Sequence, residues 1–135
     1  MSKRIDKVAW IYLKDGQILS TLSKGKSKYY IPGGKREVGE SDIQTLSREI
    51  AEELSVEIVA STVVFWGEYM AQADSHPQGI EVAMQCYFAD YQGDLKAAAE
   101  IDHFAWLSYK DYERISPVDQ LIFDALKAEG RLING

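Results

Sequence analysis

Between Ser41 and Ser55 the apolar residues Ile43, Leu46, Ile50 and Leu54 recur at helical spacing, with three glutamates, Glu49, Glu52 and Glu53, running beside them. At 100° per residue, with Ile43 at 0°, the other three apolar positions fall within about 60° of it, so one side of a helix must be buried. Ser41 caps the start, and Gln44 three residues later completes a capping box. Glu52, Glu49 and Glu53 fall at about 180°, 240° and 280°, an arc beside the buried stripe. Each like-charged pair that close costs a few tenths of a kcal/mol, and stability alone would intersperse lysines. Two readings follow from the spacing: a hard divalent cation seated among the carboxylates, or a solvated acidic helix face.

The net charge points to the same place. The chain carries 21 acidic and 15 basic residues, a balance of −6. Residues 37–57 hold seven carboxylates (Glu37, Glu40, Asp42, Glu49, Glu52, Glu53 and Glu57) against Arg48 alone, which is −6 by itself, so the remaining 14 acids and 14 bases cancel. A protein without a basic excess is poorly suited to gripping duplex nucleic acid, which demands many Lys/Arg–phosphate contacts. The single Cys86 excludes a disulfide within the chain and fits a reducing compartment. It falls in the alternating run Val82, Met84, Cys86, Phe88, which reads as a buried structural thiol. No apolar run approaches the eighteen or so residues of a membrane helix, and the opening Met-Ser-Lys-Arg leads into no signal-peptide core. The expectation is a cytoplasmic protein.

At 135 residues with 46% apolar and 27% charged side chains, one domain spanning 1–135 is expected. Two strand-like runs, Val8–Leu13 and Ile18–Leu22, flank Asp15-Gly16, a strong signal for a type I′ hairpin. A Lys/Ser/Gly loop leads to a short strand, Tyr29–Ile31, ending at Pro32-Gly33-Gly34. After the acidic helix come a strand-like run, Ile58–Trp66, a polar loop, Gln72–Gly79, and strands at Val82–Ala89 and Ile101–Leu107 separated by a turn near Gly93. A final helix has Ser116 as cap, Pro117 at its first position, Gly130 past its end, and the stripe Val118, Leu121, Ile122, Ala125 and Leu126. Strands with two amphipathic helices to cover them predict an α/β layered domain.

Gly33-Gly34 permits a tight backbone turn with no Cβ in the way of a ligand. The stretch from Gly34 through Glu40 to Arg48-Glu49-Ile50-Ala51-Glu52-Glu53-Leu54-Ser55-Val56 resembles the Nudix box, G-x5-E-x7-R-E-U-x-E-E-x-G-U with U apolar. Every fixed position across residues 34–56, about a sixth of the chain, matches except the last glycine, which is Ser55. The resemblance implies a Nudix-type α/β/α sandwich with a mixed β-sheet. It also implies hydrolysis of a nucleoside diphosphate linked to another moiety, with Mg²⁺ or Mn²⁺ as cofactor.

Carried over by residue, the resemblance implies metal ligation by Glu49, Glu52, Glu53 and the Gly33 backbone carbonyl, with Glu49 also a candidate general base. Arg48 and Glu40 are implied as the pair that orients the catalytic glutamates, although Arg48 and Glu52, one turn apart, also suit a plain surface ion pair. Glu100 lies where some family members recruit a further ligand, or is a solvated loop carboxylate. Ser55 replaces a helix-ending glycine, at an expected cost of about 1 kcal/mol if it must be left-handed. Lys24, Lys26, Lys28, Lys35 and Arg36 place a third of the basic residues beside the box. Lys28, Lys35 and Arg36 are taken as substrate-phosphate candidates. Phe65, Trp66 and Tyr69 are available to stack on a base or simply belong to the core. His76 sits in a loop that could close over a substrate.

The chain's shortness favours a compact nucleoside triphosphate as substrate, the protein acting as a monomer or homodimer with small-molecule nucleotides as partners and no membrane. The alternatives are a nucleotide sugar, a dinucleotide or a capped RNA end, or a silent nucleotide-binding module. A silent module need not keep mutually repelling carboxylates.

Overall fold

The computed structural model describes residues 3–74 and 76–135; Met1, Ser2 and Ser75 lie outside the described residues, so the reading of the first residues and the closure of the Gln72–Gly79 loop are only partly covered. Strand β1 (Lys3–Ile11) is the centre of the molecule. It pairs in parallel with β7 (Ile80–Phe88) and antiparallel with the two-residue β4 (Gly33–Gly34), while β6 (Val64–Gln72) adds antiparallel to β7. This gives the mixed sheet β4-β1-β7-β6. A second, antiparallel sheet runs β2 (Leu13–Lys14), β3 (Gln17–Ser23), β9 (Ile101–Leu107), and β5 (Glu57–Ile58) pairs with β8 (Tyr91–Gln92).

Alternation along β1 sorts the core into two layers. Val8 and Trp10 pack with Leu46, Ile50 and Leu54 of α1 (Asp42–Leu54). Ala9 and Ile11 pack with Val118, Ile122, Phe123 and Leu126 of α2 (Pro117–Ala128). One helix on each face makes the expected α/β/α sandwich. Among the described residues no helix is long and apolar enough to cross a membrane.

Local signals are honoured where the backbone alone decides them. Asp15 (φ 53°) and Gly16 (φ 75°) form the β2–β3 hairpin turn. The capping box at Ser41 and Gln44 is present in full. Cys86 is buried, and burial pushes its thiol well above the ordinary range, as an inert structural thiol requires.

Tertiary contacts redraw other segments. Tyr29–Ile31 makes only isolated bridges, Thr21 with Tyr30 and Tyr29 with Ile115, and the regular pairing begins at Gly33. Ile58–Trp66 is broken into β5, a 3₁₀ turn at Ala60–Thr62 and the start of β6, where Val64 and Phe65 stay exposed. Ile43 in the first turn of α1 and Leu121 of α2 are also exposed. On α2 the buried residues are Val118, Asp119, Ile122, Phe123 and Leu126, so the buried arc is rotated away from Leu121 and takes in a carboxylate and a phenyl ring outside the expected stripe.

Ser55 does adopt the left-handed conformation (φ 64°, ψ 21°), its N–H bonding to Ala51 O. Its hydroxyl donates to Lys96 O at 3.0 Å. A left-handed serine costs about 1 kcal/mol relative to glycine, and this bond returns a similar amount. Urea unfolding should therefore find Ser55→Gly within about 0.5 kcal/mol of the native chain, whereas Ser55→Ala, strained and without the bond, loses about 1 kcal/mol.

Candidate active site

The site begins with two glycines. Gly33 (φ +150°) lies against β1 so closely that a Cβ would stand 2.0 Å from Val8 O. A Cβ on Gly34 would stand 2.4 Å from Glu49 Cδ. The pair thus lets the sheet edge approach the last turns of α1, and Gly33 N–H donates to Glu53 Oε1 at 3.3 Å.

The three glutamates are graded by their place on the helix. Glu53 falls inside the buried arc and is only 7% exposed. The side chain of Glu49 is 16% exposed and that of Glu52, farthest round, 55%. Burial, reinforced by the Glu49 charge, pushes the Glu53 carboxyl up to about 8, against the Gly33 amide and Lys7. Burial also raises Glu49, against its bond to Arg48.

Arg48 gathers the box. It holds Glu40 through two bonds (Nε to Oε2, 2.7 Å; Nη2 to Oε1, 2.9 Å), Glu49 at 2.8 Å and the Lys35 carbonyl at 3.1 Å. Glu52 is a longer contact at 3.5 Å, so the surface pair with Glu52 is a minor part of what Arg48 does. Glu40 also accepts from the Glu37 amide and the Thr45 hydroxyl, and Arg48 first among these holds its carboxyl down at about 2. A planar guanidinium engaging two carboxylates and a carbonyl fixes the rotamer of Glu49 as lysine could not.

Glu100 arrives from across the fold. Its loop is pinned to the end of α1 by Lys96 N–H to Leu54 O (2.9 Å) and Ala98 N–H to Glu53 O (3.0 Å). Glu100 is exposed, yet near enough for its charge to raise both Glu49 and Glu53. Among the described residues no three His, Cys, Asp or Glu side chains already converge as a closed metal cage. The donor set nonetheless suits a hard cation. It is all oxygen, the Glu49 charge opposes ionisation of the buried Glu53, and Gly34 leaves open the space beside Glu49.

A cavity of about 350 Å³ opens between Glu53 and the start of α2. Ile5, Ile31, Val82, Met84 and Val118 give it apolar walls, while Glu53, Lys7, Lys26, Lys35, Ser116 and His76 add polar groups. Of the three phosphate candidates Lys35 lines the cavity and Lys28 does not; Arg36 is engaged by Asp42 at 2.6 Å. Lys26 takes the place Lys28 was expected to fill. Phe65 meets Tyr87 edge-on, and Trp66 packs on Tyr69 and Phe88 while donating to Glu129; none of Phe65, Trp66 and Tyr69 lines the cavity.

Three polar groups at this cavity escaped sequence reasoning. Behind its wall Asp119, fully buried, accepts from Ile31 N–H at 3.0 Å through Oδ2 while Oδ1 has no partner among the described residues. Burial raises its carboxyl to about 7. The buried Ser116 hydroxyl lies against this carboxyl and works against that rise. Lys7 interrupts the inward row Ile5, Ala9, Ile11 of β1. The only sequence signal for Lys7 was a charge at an apolar beat of the strand, and Asp119 gave none.

A glycine-lined carboxylate centre held by one arginine, on an α/β/α sandwich and beside a nucleotide-sized cavity, defines a phosphate-handling hydrolase. Comparison with known proteins agrees. The NUDIX domain family model matches residues 3–126. CTP pyrophosphohydrolase of Escherichia coli (strain K12) is 32% identical over 133 residues, 93% of each chain. Among solved structures, the E. coli ORF135 protein superposes with a TM-score of 0.67 at 30% identity, covering 95% of this chain and 94% of its own. A MutT protein from Methanosarcina mazei Go1 shares the fold with a TM-score of 0.76 at 19% identity, covering 96% and 97%. The chain belongs to the Nudix family. Hydrolases of this family generally use divalent metal ions.

Proposed function

We propose that the protein hydrolyses a nucleoside triphosphate to the monophosphate and pyrophosphate, using Mg²⁺ or Mn²⁺. The observation that carries this reading is that Glu53 lines a cavity of about 350 Å³, sized for a single nucleoside, with apolar walls suited to a base. The CTP pyrophosphohydrolase relative supports the same substrate class. A nucleotide sugar or dinucleotide would need room for a second large group beyond the glutamates.

Glu49, Glu52, Glu53 and the Gly33 carbonyl would hold the cation, with Glu100 as a further ligand; Glu53 is the innermost. A bound divalent ion neutralises phosphate charge and acidifies the attacking water. Glu49, with its carboxyl raised and its rotamer set by Arg48, takes the proton from that water as general base. Arg48 and Glu40 are positioning residues. Lys35 faces the cavity beside Glu53 and steadies the leaving phosphates.

The test is product analysis on CTP, ATP, GTP and UTP with and without Mg²⁺. Metal-dependent release of pyrophosphate and a monophosphate is expected; turnover confined to nucleotide sugars or dinucleotides, or nucleotide binding without turnover, would overturn the reading. A second readout needs no substrate. Because the Glu53 proton, held up to about pH 8, must leave before the carboxylate can bind a cation, the rise in melting temperature on adding Mg²⁺ should grow steadily from pH 6 to pH 8.

A further inference from the structure

Strands β1 and β4 bring two lysines together at the Glu53 end of the cavity. Their antiparallel register pairs Ala9 with Gly33 and Val8 with Gly34, so the next step along it sets Lys35 alongside Lys7. Both lysines line the cavity, as do Gly33, Gly34 and Glu53. The bond from Gly33 N–H to Glu53 Oε1 ties this edge to the innermost glutamate. Like charges facing each other on neighbouring strands destabilise a sheet. Among the described residues no ion pair includes either ammonium. Burial lowers the Lys7 ammonium from the ordinary lysine range; Asp119 works against this and the Lys35 charge adds to it. Two unpaired cations turned into one cavity are costly, and an anion between them removes the cost.

The two lysines differ in depth. Lys35 is exposed, whereas Lys7 is half-buried. Lys7 stands opposite Met84 of β7, in the row that runs from Ile5 to Ala9 and Ile11. Ile5 and Met84 are cavity walls, so Lys7 marks the place where those apolar walls give way to the Glu53 edge. A nucleoside between the walls presents its first phosphate at that border, and the outer phosphates extend toward Lys35.

We propose that Lys7 holds the α-phosphoryl group, which stays with the nucleoside, while Lys35 serves the departing pyrophosphate. This rests on the nucleoside triphosphate reading above and goes beyond it by dividing the phosphate chain between two cations on adjacent strands. A lysine ammonium is a point charge that suits the phosphate oxygens of every nucleotide, so Lys7 adds affinity without reading the base. Its contact survives cleavage on the nucleoside side, so it also retains the monophosphate product.

The experiment measures kcat/KM for CTP, ATP, GTP and UTP, and inhibition by the monophosphate product and by pyrophosphate at saturating Mg²⁺, in the native protein, Lys7→Met and Lys35→Met. Methionine suits the apolar row of β1, Lys7→Gln is the second variant at that position, and thermal melts check that each variant is folded. Either Lys7 variant should lower kcat/KM about tenfold, by the same factor on every nucleotide that is turned over. It should raise the Ki of the monophosphate about tenfold and move that of pyrophosphate less than twofold. Lys35→Met should do the reverse, weakening inhibition by pyrophosphate and sparing that by the monophosphate. A loss confined to one base would place Lys7 on the base, and a pyrophosphate Ki that rose as much as the monophosphate Ki would place it on the leaving group. Either result overturns the proposal, as would unchanged constants. Native protein that turns over none of the four, or gives products other than a monophosphate and pyrophosphate, would overturn the functional reading itself, and that failure is visible before any variant is made.

Discussion

Glu53→Gln abolishes turnover, lowering kcat/KM by roughly a thousandfold or more, and at the same time makes the metal-free protein more stable at neutral and alkaline pH. Both halves come from the same burial. The Glu53 side chain is 7% exposed and receives only a 3.3 Å bond from Gly33 N–H, which the glutamine carbonyl can accept equally well. Its carboxyl is raised in the folded state to about 8, against 4.5 in the unfolded chain. Below pH 4.5 both states bind the proton and nothing is lost. As pH rises through the window from 4.5 to 8 the unfolded chain ionises first, the folded state falls behind, and stability is withdrawn. By pH 8 the deficit is about 3 kcal/mol, allowing for relaxation around the charge. Glutamine does not titrate, so melting curves of Glu53→Gln and the native protein, taken without metal, should coincide near pH 4.5 and diverge to pH 8. Added Mg²⁺ should reverse the order, because it stabilises only the chain that retains the ligand. Near-normal turnover in Glu53→Gln would remove Glu53 from the centre.

That a residue proposed for the centre is also destabilising when charged bears on what the sequence could and could not say. The Nudix box was legible because its requirements are chemical and local: carboxylates at helical spacing, one arginine, glycines where the backbone must come close. The arc of Glu53, Glu49 and Glu52 round the helix even predicts their order of burial, since Glu53 at about 280° borders Leu46 at about 300° and Glu52 lies farthest from the apolar stripe. The sandwich was legible for a related reason, because two apolar stripes must each find a sheet face. The interior of the cavity was not. Asp119 sits on the buried arc of α2, where periodicity expects an apolar residue, and what places it there is the Ile31 amide 88 positions away. Lys7 reads as a surface lysine until β7 is paired alongside it and α2 laid across both. Arg36, adjacent to Lys35 in the chain, is drawn off by Asp42 through the first turn of α1. Residues of the Nudix box follow a local pattern; those that line the rest of the cavity are assembled by tertiary contacts and have none.

The glycine pair gives the sharpest separation of fold from chemistry. Gly33→Ala should cost more than about 3 kcal/mol, because the new methyl would lie 2.0 Å from the Val8 carbonyl, at a φ of +150° that side chains rarely adopt. Neither obstacle can move, since Val8 O belongs to the central strand, so the chain is expected to be largely unfolded at 37 °C. Gly34→Ala meets a different neighbour. Its methyl would lie 2.4 Å from Glu49 Cδ, the end of a flexible side chain, and Gly34 has no left-handed requirement. The fold survives by swinging Glu49 aside, but that carboxylate is held at 2.8 Å by Arg48, which is itself engaged with Glu40. Displacing it by about an ångström breaks the Arg48 bond and moves the proposed general base off the attacking water, an expected loss of about 10² in turnover. Circular dichroism and turnover per folded molecule tell the two apart: Gly34→Ala should be folded and slow, and Gly33→Ala should be poorly folded. If Gly34→Ala were folded and fully active, Glu49 would not be the base, because the reaction would tolerate its removal from the place Arg48 holds it.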